Sequence, residues 1–293
     1  MQPAMSGSVR QIRRHEVPAW CACPLGTDAW IEDERAWVAR WHEGCRNLFA
    51  FDAGGEFLGK YDVPMESAGR WELWAPSVRD GDGAAVVMEA LCAHVLTESR
   101  RRGIARLEVT LEESHRHFEL ARSCLLEAGF DRADERIVFV RDLAAPLPER
   151  KECDLEYRST TGLPAPDFAG LCRAVGMSGE PPADARRLGL AAWRDGRPIG
   201  LALPSTLPGG DELLLHHIGI VPEARGQGYG LALLLEVLHR ARAAGAAIYV
   251  GSTSKDNRPM LRLFDRAGSG RHGKRLVFRT IHDATLSRDT EGP

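Results

Sequence analysis

One segment of this 293-residue chain, from His216 to Leu235, constrains its fold more than any other. It reads HHIGIVPEARGQGYGLALLL, which is an apolar strand, a turn, a glycine-rich stretch and an apolar helix in succession. Gly226, Gly228 and Gly230 remove three Cβ atoms where the backbone turns into the helix, so backbone N–H groups can approach an anion at the positive end of the helix dipole. The segment has neither the Gly-Lys-Ser/Thr of a P-loop nor the acidic residue that closes a second strand in dinucleotide-binding units. It therefore predicts a pyrophosphate-binding loop of another kind.

The loop resembles that of the Gcn5-related N-acetyltransferases (the GNAT superfamily), whose signature is Gln/Arg-x-x-Gly-x-Gly/Ala. Arg225, Gly228 and Gly230 fill the three signature positions. The resemblance implies an α/β (α+β) fold and acetyl-CoA, or another acyl-CoA, as the co-substrate. It also implies that the strand Ile218–Val221 lines the acyl-CoA arm, with a backbone N–H near Ile218 polarising the thioester carbonyl.

A second GNAT landmark, Asn-x-x-Ala followed by Leu-Tyr, is similar to the segment NRPMLRLF, from Asn257 to Phe264. Asn257 matches and is placed to cap a helix that opens at Pro259. Phe264, however, stands where the family has the tyrosine that protonates the departing thiolate, and phenylalanine has no proton to donate. Water, Tyr229 or Tyr249 then takes that role, or the thiolate leaves unaided because its pKa is low. The acyl-CoA residues that the resemblance implies are Ile218, Gly219, Ile220, Val221, Arg225, Gly226, Gln227, Gly228, Tyr229, Gly230, Leu231 and Asn257.

Direct attack by an amine requires a base that can take a proton at pH 7, and two histidines, His216 and His217, lie in the strand before the loop. Strand alternation sends their side chains to opposite faces, so at most one is expected to face the thioester. His216 lies where the arylalkylamine N-acetyltransferases, as a family, place a histidine, and it shares a face with Leu214 and Ile218. The sequence favours His216 as the base, with His217, an ordered water or the free amine itself as alternatives.

The second half of the chain has the pattern of a complete domain. Strands are expected at Leu155–Ser159, Gly189–Arg194, Ile199–Pro204, Leu213–Val221, Ala247–Gly251 and Arg275–Thr280, and helices at Ala165–Val175, Gln227–Ala244 and Arg258–Ala267. The pair Asp195-Gly196 predicts a tight hairpin between the second and third strands. Gly245 predicts a C-cap for the long helix.

The first half carries a weaker copy of this pattern. Trp71–Val78 reads as a strand, Arg79 to Ala84 as its loop, and the segment ERIVFVRDL parallels KRLVFRTI near the end of the chain. Asp82 stands where the second signature residue should be glycine, and its carboxylate repels a pyrophosphate. We therefore predict two tandem GNAT-fold domains, as in the mycothiol synthase-like members, each a mixed, mostly antiparallel twisted sheet flanked by helices. Their predicted boundaries are 1–143 for a degenerate N-terminal domain, 144–152 for a linker and 153–293 for the domain that binds acyl-CoA.

The composition argues against several classes of function. The net charge is −3 and no long basic run is present, so nucleic acid is not an expected partner. No stretch approaches the roughly 18 apolar residues of a membrane span, and the N-terminus lacks the apolar region of a secretory signal. Seven cysteines fit reduced cytosolic thiols better than a disulfide framework. We expect a cytoplasmic monomer or homodimer without a metal, because His115 and His117 have no third ligand at useful spacing and read as solvated surface.

These patterns together predict an enzyme that transfers acetyl, or another small acyl group, from coenzyme A to the amine of a small molecule by direct attack in the C-terminal domain. The segment Met177–Arg187 lies where GNAT proteins often build the acceptor pocket, and Glu180 is placed there to pair with an ammonium group. Two alternatives stay open. Phe264 in place of tyrosine fits a non-catalytic acyl-CoA sensor, and the same fold can host an acyl-CoA decarboxylase or thioesterase.

Overall fold

The computed structural model describes residues 6–23, 47–63, 65–67, 69–150, 153–177, 183–206 and 211–282. Strands and helices are interleaved along these residues. The strands are β1 (Ser8–Gln11), β2 (Leu48–Asp52), β3 (Phe57–Asp62), β4 (Met65–Ser67), β5 (Arg70–Trp74), β6 (Ser77–Val78), β7 (Arg106–Glu112), β8 (Asp131–Asp142), β9 (Glu156–Ser159), β10 (Leu190–Arg194), β11 (Arg197–Thr206), β12 (Glu212–Ile220), β13 (Ile248–Ser254) and β14 (Gly270–Ile281). The helices are α1 (Val17–Ala22), α2 (Ala84–Arg101), α3 (Phe118–Glu127), α4 (Ala165–Ala174), α5 (Ala183–Leu188), α6 (Tyr229–Ala243) and α7 (Arg258–Arg266).

The chain divides into two compact units, of which the first comprises residues 1–135 and 273–293. It contains an antiparallel sheet in the order β1-β2-β3-β6 and a second group of strands in the order β4-β5-β7-β14, where β5 and β7 run parallel. Helix α2 contacts β3 and contributes Met88 to a core that also buries Trp71 and Leu107. This unit therefore has a hydrophobic core of its own.

The second unit comprises residues 136–272 and contains the predicted loop. Its strands follow the order β8-β13-β12-β11-β10-β9, with β12 and β13 parallel and the other neighbours antiparallel. Helices α4 and α5 contact β11, and α6 contacts β11 and β12. A mixed, mostly antiparallel sheet flanked by helices confirms the predicted fold class.

Each unit is completed by a strand from the other half of the sequence. Residues 136–142 of β8 pair with β13 in the second unit, and residues 275–281 of β14 pair with β7 in the first. The two segments share an apolar pattern, and a local pattern specifies a strand without specifying its partner. The exchange was not foreseen in the division of the sequence at 143/144.

The segment predicted as a linker lies against α6 where it is described. Arg150 forms an ion pair with Glu236 at 2.8 Å, and Nε2 of His239 lies 2.9 Å from the carbonyl oxygen of Pro148. Glu236 is buried on α6 and also pairs with Arg240. Burial alone would raise the pKa of Glu236, but hydrogen bonds from the two arginines outweigh it and lower that pKa. Residues 144–150 therefore belong to the second unit.

The predicted turn and helix end are confirmed in detail. Asp195 and Gly196 have φ of 49° and 72°, the left-handed pair that a two-residue hairpin of type I′ requires. Gly245, with φ of 93°, ends α6 in a Schellman motif, since the N–H of Ala246 donates to the carbonyl of Ala241 at 3.0 Å.

Some local structure differs from the sequence-based prediction. Helix α5 occupies part of the segment predicted as a pocket loop. The strand predicted at Trp71–Val78 is broken before Ser77 into β5 and β6, because Pro76 has no N–H for the ladder. Among the described residues, no helix is long and apolar enough to cross a membrane.

Candidate functional site

The parallel neighbours β12 and β13 separate halfway along their length. They pair as far as Leu215↔Gly251, and within the described residues no pairing continues beyond it. Each strand goes on beside its other neighbour, β12 with β11 and β13 with β8. A wedge therefore opens between residues 216–220 and 252–254, and the backbone groups along its edges can pair with an extended ligand. This wedge is termed the splay, and Leu215↔Gly251 its apex.

A β-bulge lies at the apex. The register between β11 and β12 shifts so that His217 faces Leu203 and Leu215 faces Pro204, which leaves His216 as an extra residue. Proline cannot donate to the ladder and is found in sheets at such bulges. Strict alternation between His216 and His217, expected from the sequence, therefore does not hold here.

The glycine-rich loop follows β12 directly. After a 3₁₀ turn at Pro222–Ala224, the side chain of Arg225 folds back and its Nε donates to the carbonyl of Ile220 at 2.9 Å. Gly226 and Gly228 have φ of 79° and 87°, in the left-handed region that glycine adopts without strain. Among the described residues no side chain caps α6 at Gly228, and the first N–H groups of a helix have no intrahelical partner. These amides and the positive end of the helix dipole form a geometry suited to a pyrophosphate.

Two glycines of the predicted site make room for neighbouring side chains. A Cβ on Gly230 would lie 3.0 Å from Cδ1 of Leu263, so this glycine allows α6 to approach α7. A Cβ on Gly219 would lie 2.8 Å from Cβ of Val175, at the end of α4. The role of Gly230 in opening the loop to an anion stays a prediction, and its missing Cβ is also needed for helix packing.

Polar side chains surround the outer end of the loop. Arg194 donates to Oε1 of Gln227 at 3.0 Å and forms an ion pair with Asp154 at 2.8 Å. The hydroxyl of Tyr229 donates to the same carboxylate at 3.1 Å. A cavity of about 330 Å³ adjoins the loop and is lined by Arg194, Asp195, Arg197, Ile199, Glu223, Ala224 and Gln227. Its two guanidinium groups can meet a phosphate, although no sequence motif marked them.

The two histidines of β12 have different surroundings. His216 is exposed, and its Nε2 lies 2.6 Å from Oγ of Ser205 on β11. His217 is half-buried and lies against the backbone of Val175. Burial lowers the pKa of His217, and the nearby backbone of Val175 only partly offsets this effect. Ser205 is a site residue that the sequence analysis missed, because only the register of β11 places it beside His216.

The second GNAT landmark begins at α7. Oδ1 of Asn257 accepts from the N–H of Met260 at 3.3 Å, which is the predicted N-cap, and its Nδ2 donates to Oγ1 of Thr253 at 3.1 Å. Phe264 is buried and stacks on Phe139 with ring centroids 4.6 Å apart. The position of the family tyrosine is therefore filled by a hydrocarbon ring.

The two tyrosines considered as substitutes lie at opposite ends of the splay. Tyr229 begins α6, beside the loop, and its hydroxyl is bound to Asp154. Tyr249 is fully buried on β13, two residues before Gly251 at the apex. Its hydroxyl has no hydrogen-bond partner within the part of the chain that the structure describes.

The corresponding loop of the first unit is occupied by its own side chains. Arg79 forms an ion pair with Glu56 at 3.1 Å, and Asp80 with Arg116 at 3.2 Å. Asp80 and Asp82 place two carboxylates in this loop, and like charge repels a pyrophosphate. The loop is thus poorly suited to the anion that the loop of the second unit can accept.

His115 was predicted as solvated surface, and this is wrong. It is buried, with Nε2 3.1 Å from the carbonyl oxygen of Pro76 and Nδ1 accepting from the N–H of His117 at 3.1 Å. Burial lowers the pKa of His115 to about 4. Within the described ranges, no group of three His, Cys, Asp or Glu side chains could hold a metal ion. Glu180, predicted to bind the acceptor, lies outside the described residues.

Comparison with known proteins agrees with this geometry. Residues 166–268 match the model of the acetyltransferase (GNAT) family. The structure is similar to a GCN5-related N-acetyltransferase from Sphaerobacter thermophilus, with a TM-score of 0.72 and 18% identity over 96% of this chain and 97% of that one. It is also similar to a tandem GNAT protein from the clavulanic acid biosynthesis pathway, with a TM-score of 0.65 and 15% identity over 94% and 98% of the two chains. No curated protein sequence matches the chain.

These similarities first define the class: the chain has the tandem GNAT fold over nearly its whole length. The segment 166–268, which contains the splay and the loop, is an acetyltransferase (GNAT) domain. The family model thus matches the part of the chain in which the loop and the helix cap were predicted.

Proposed function

We propose that this protein is an acyl-CoA-dependent N-acetyltransferase whose active site lies in the second unit and whose acceptor is the amine of a small molecule. The observation that carries the proposal is the splay, which leads into the loop Arg225–Gly230 at the start of α6. Residues 216–220 in an extended strand span about 16 Å, which matches the extended pantetheine arm of coenzyme A. With the pyrophosphate on the loop, the thioester lies at the apex.

The chemistry at the apex needs a base and a polarised carbonyl. His216 suits the base because it is exposed to an incoming amine and its ring is oriented by Ser205. When Nε2 carries the hydrogen and donates to Ser205, the lone pair lies on Nδ1, which takes the proton of the attacking ammonium group. The amine nitrogen then bonds to the carbonyl carbon, whose oxygen is held by a backbone N–H near Ile218, and the C–S bond breaks with its electron pair on sulfur.

The binding site is tested by two glycine substitutions at opposite ends of α6. Gly228→Asp introduces a carboxylate beside the pyrophosphate, and Gly245→Asp introduces the same side chain at a glycine of similar φ with open space around its Cβ. Because both variants bear similar backbone strain, a difference between them reports the charge at the loop. We expect the wild type and Gly245→Asp to bind one acetyl-CoA by calorimetry, and Gly228→Asp to lose binding. Retained binding in Gly228→Asp would contradict the proposal.

The reaction is tested by following release of the thiol of coenzyme A from acetyl-CoA. A panel of primary amines (amino acids, amino sugars, polyamines and arylalkylamines) supplies the acceptor. Release that depends on one of these amines supports the acetyltransferase. Binding without release across the panel would identify a sensor instead, and release without any amine a thioesterase.

A further inference from the structure

Within the described residues, the hydroxyl of Tyr249 has no hydrogen-bond partner although it is fully buried. Among the described tyrosines it is the one buried hydroxyl in this state. Buried hydroxyls in native proteins are almost always paired, because an unpaired one destabilises the fold. A polar atom that stays unpaired in the free protein therefore needs an explanation.

The position of the Tyr249 hydroxyl explains why it is left unpaired. The Cβ of a side chain at Gly251 would lie 2.7 Å from Oη of Tyr249 and 2.9 Å from Cζ of Phe264. Both rings thus end against the same glycine, which is the last residue of β13 that pairs with β12. A hydroxyl on the ring of Phe264 would project from Cζ toward the place that the Tyr249 hydroxyl already occupies.

We propose that the hydroxyl of Tyr249 donates a hydrogen bond to the sulfur of coenzyme A as it leaves, which is the function that Phe264 cannot perform. The inference rests on the proposed function, since it requires acyl-CoA in the splay with its sulfur at the apex. As the C–S bond breaks, the electron pair moves to sulfur and the O–H of Tyr249 stabilises the developing negative charge.

The proton remains on the tyrosine during this step. Burial raises the pKa of Tyr249 well above its usual value, so the phenol is a hydrogen-bond donor and does not ionise. The thiolate is a weak enough base to leave without a proton, and it takes one from the solvent after release. Tyr229 cannot act in this way, because its hydroxyl is bound to Asp154 at the loop end of the splay.

Gly251 is the residue that makes this arrangement possible. Any side chain there would have its Cβ closer to the hydroxyl than van der Waals contact allows and would displace it from the apex. A hydroxyl from β13 therefore reaches a point that the family reaches from the following helix.

The test compares coenzyme A with desulfo-coenzyme A, which lacks the sulfur. Dissociation constants are measured by calorimetry for the wild type, Tyr249→Phe and Tyr157→Phe. Tyr157 is a matched control because it lies on the edge strand β9, separated from β13 by β12, β11 and β10, and its hydroxyl contacts Cys153. We expect Tyr249→Phe to weaken the binding of coenzyme A by about 3- to 10-fold at neutral pH, the range of one hydrogen bond. The weakening should be larger at pH 9, where a larger fraction of the thiol is ionised. The binding of desulfo-coenzyme A should not change.

Equal weakening for both ligands, or none for either, would overturn the role of Tyr249 while leaving the proposed function intact. Failure of the wild type to bind coenzyme A would overturn the proposed function itself.

A second variant separates chemistry from folding: adding Phe264→Tyr to Tyr249→Phe returns a hydroxyl to the apex from α7. We expect this double variant to recover the preference for coenzyme A over desulfo-coenzyme A. In assays with an amine that supports turnover, we also expect it to recover kcat with little change in KM. A double variant that folds and binds desulfo-coenzyme A but shows no recovery would also count against the inference.

Discussion

One substitution should have opposite effects on two buried tyrosines of this protein. Tyr249 and Tyr61 are buried to 0% and 3% exposure, yet their hydroxyls differ. The hydroxyl of Tyr61 lies 2.8 Å from Nδ1 of His94, whereas that of Tyr249 has no described partner. Replacement of each by phenylalanine removes one oxygen atom and leaves the ring in place. We expect Tyr61→Phe to destabilise the free protein and Tyr249→Phe to stabilise it.

The expected magnitudes follow from the two environments. An unpaired buried hydroxyl costs about 1–3 kcal/mol, and the void left by one oxygen costs only about 0.3 kcal/mol at roughly 24 cal/mol per Å³. Tyr249→Phe should therefore raise the free energy of unfolding by about 1–2 kcal/mol. Loss of the hydrogen bond in Tyr61→Phe should lower it by about 0.5–1.5 kcal/mol. For a protein of this size each kcal/mol corresponds to about 2 °C in Tm.

The assay is thermal unfolding of the full-length variants, followed by circular dichroism with and without saturating coenzyme A. In the free protein Tyr249→Phe should melt above the wild type. Coenzyme A should raise the Tm of the wild type by more than that of Tyr249→Phe, because only the wild type gains the hydrogen bond to sulfur. If Tyr249→Phe and Tyr61→Phe both lower the Tm of the free protein, the hydroxyl of Tyr249 has a partner and the reasoning is refuted.

Two further predictions concern histidines. The pKa of His115 falls from about 6.5 in an unfolded chain to about 4 in the folded one, so the unfolded chain binds more protons in that interval and stability falls as the pH drops through it. This loss of stability amounts to at most about 3 kcal/mol. Chemical denaturation at pH values from 7 to 4 should show the loss in the wild type and a much smaller loss in His115→Gln. Equal pH dependence of the two proteins would contradict the burial effect. His216→Gln should abolish the acid limb of the pH profile of kcat/KM, while His217→Gln keeps it. Ser205→Ala should lower kcat by about 10-fold but keep the acid limb, because Ser205 only orients the base. If the acid limb is unchanged in His216→Gln, a group other than His216 acts as the base.

The loop of the second unit could be predicted because its determinants are local. Glycine is required at Gly226 and Gly228 by their positive φ, and the apolar helix that follows is visible in the same stretch of sequence. Asp195-Gly196 and Gly245 were recognisable for the same reason, since a left-handed residue restricts the sequence at one position. Each of these elements depends on residues within a few positions of one another.

The pairing of strands could not be predicted in this way. The segments around Phe139 and Phe278 share an apolar core pattern, and each completes the sheet of the other half of the chain. Hydrophobic alternation defines a face but not a partner. The bulge at His216 had a local signal, Pro204 in the neighbouring strand, but its effect on alternation appears only when the two strands are brought into register.

The substitution of Phe264 shows why a motif can mislead about chemistry. Comparison of the sequence with the family examines one position, on α7, and finds the hydroxyl missing there. The leaving sulfur, however, requires a donor at a point in space, and that point can be reached from any element that borders it. Tyr249 reaches it from β13 because Gly251, two residues further along the same face, has no side chain to block the way. A glycine in a strand, which by propensity alone weakens the sheet, therefore carries as much information about the site as the missing tyrosine does.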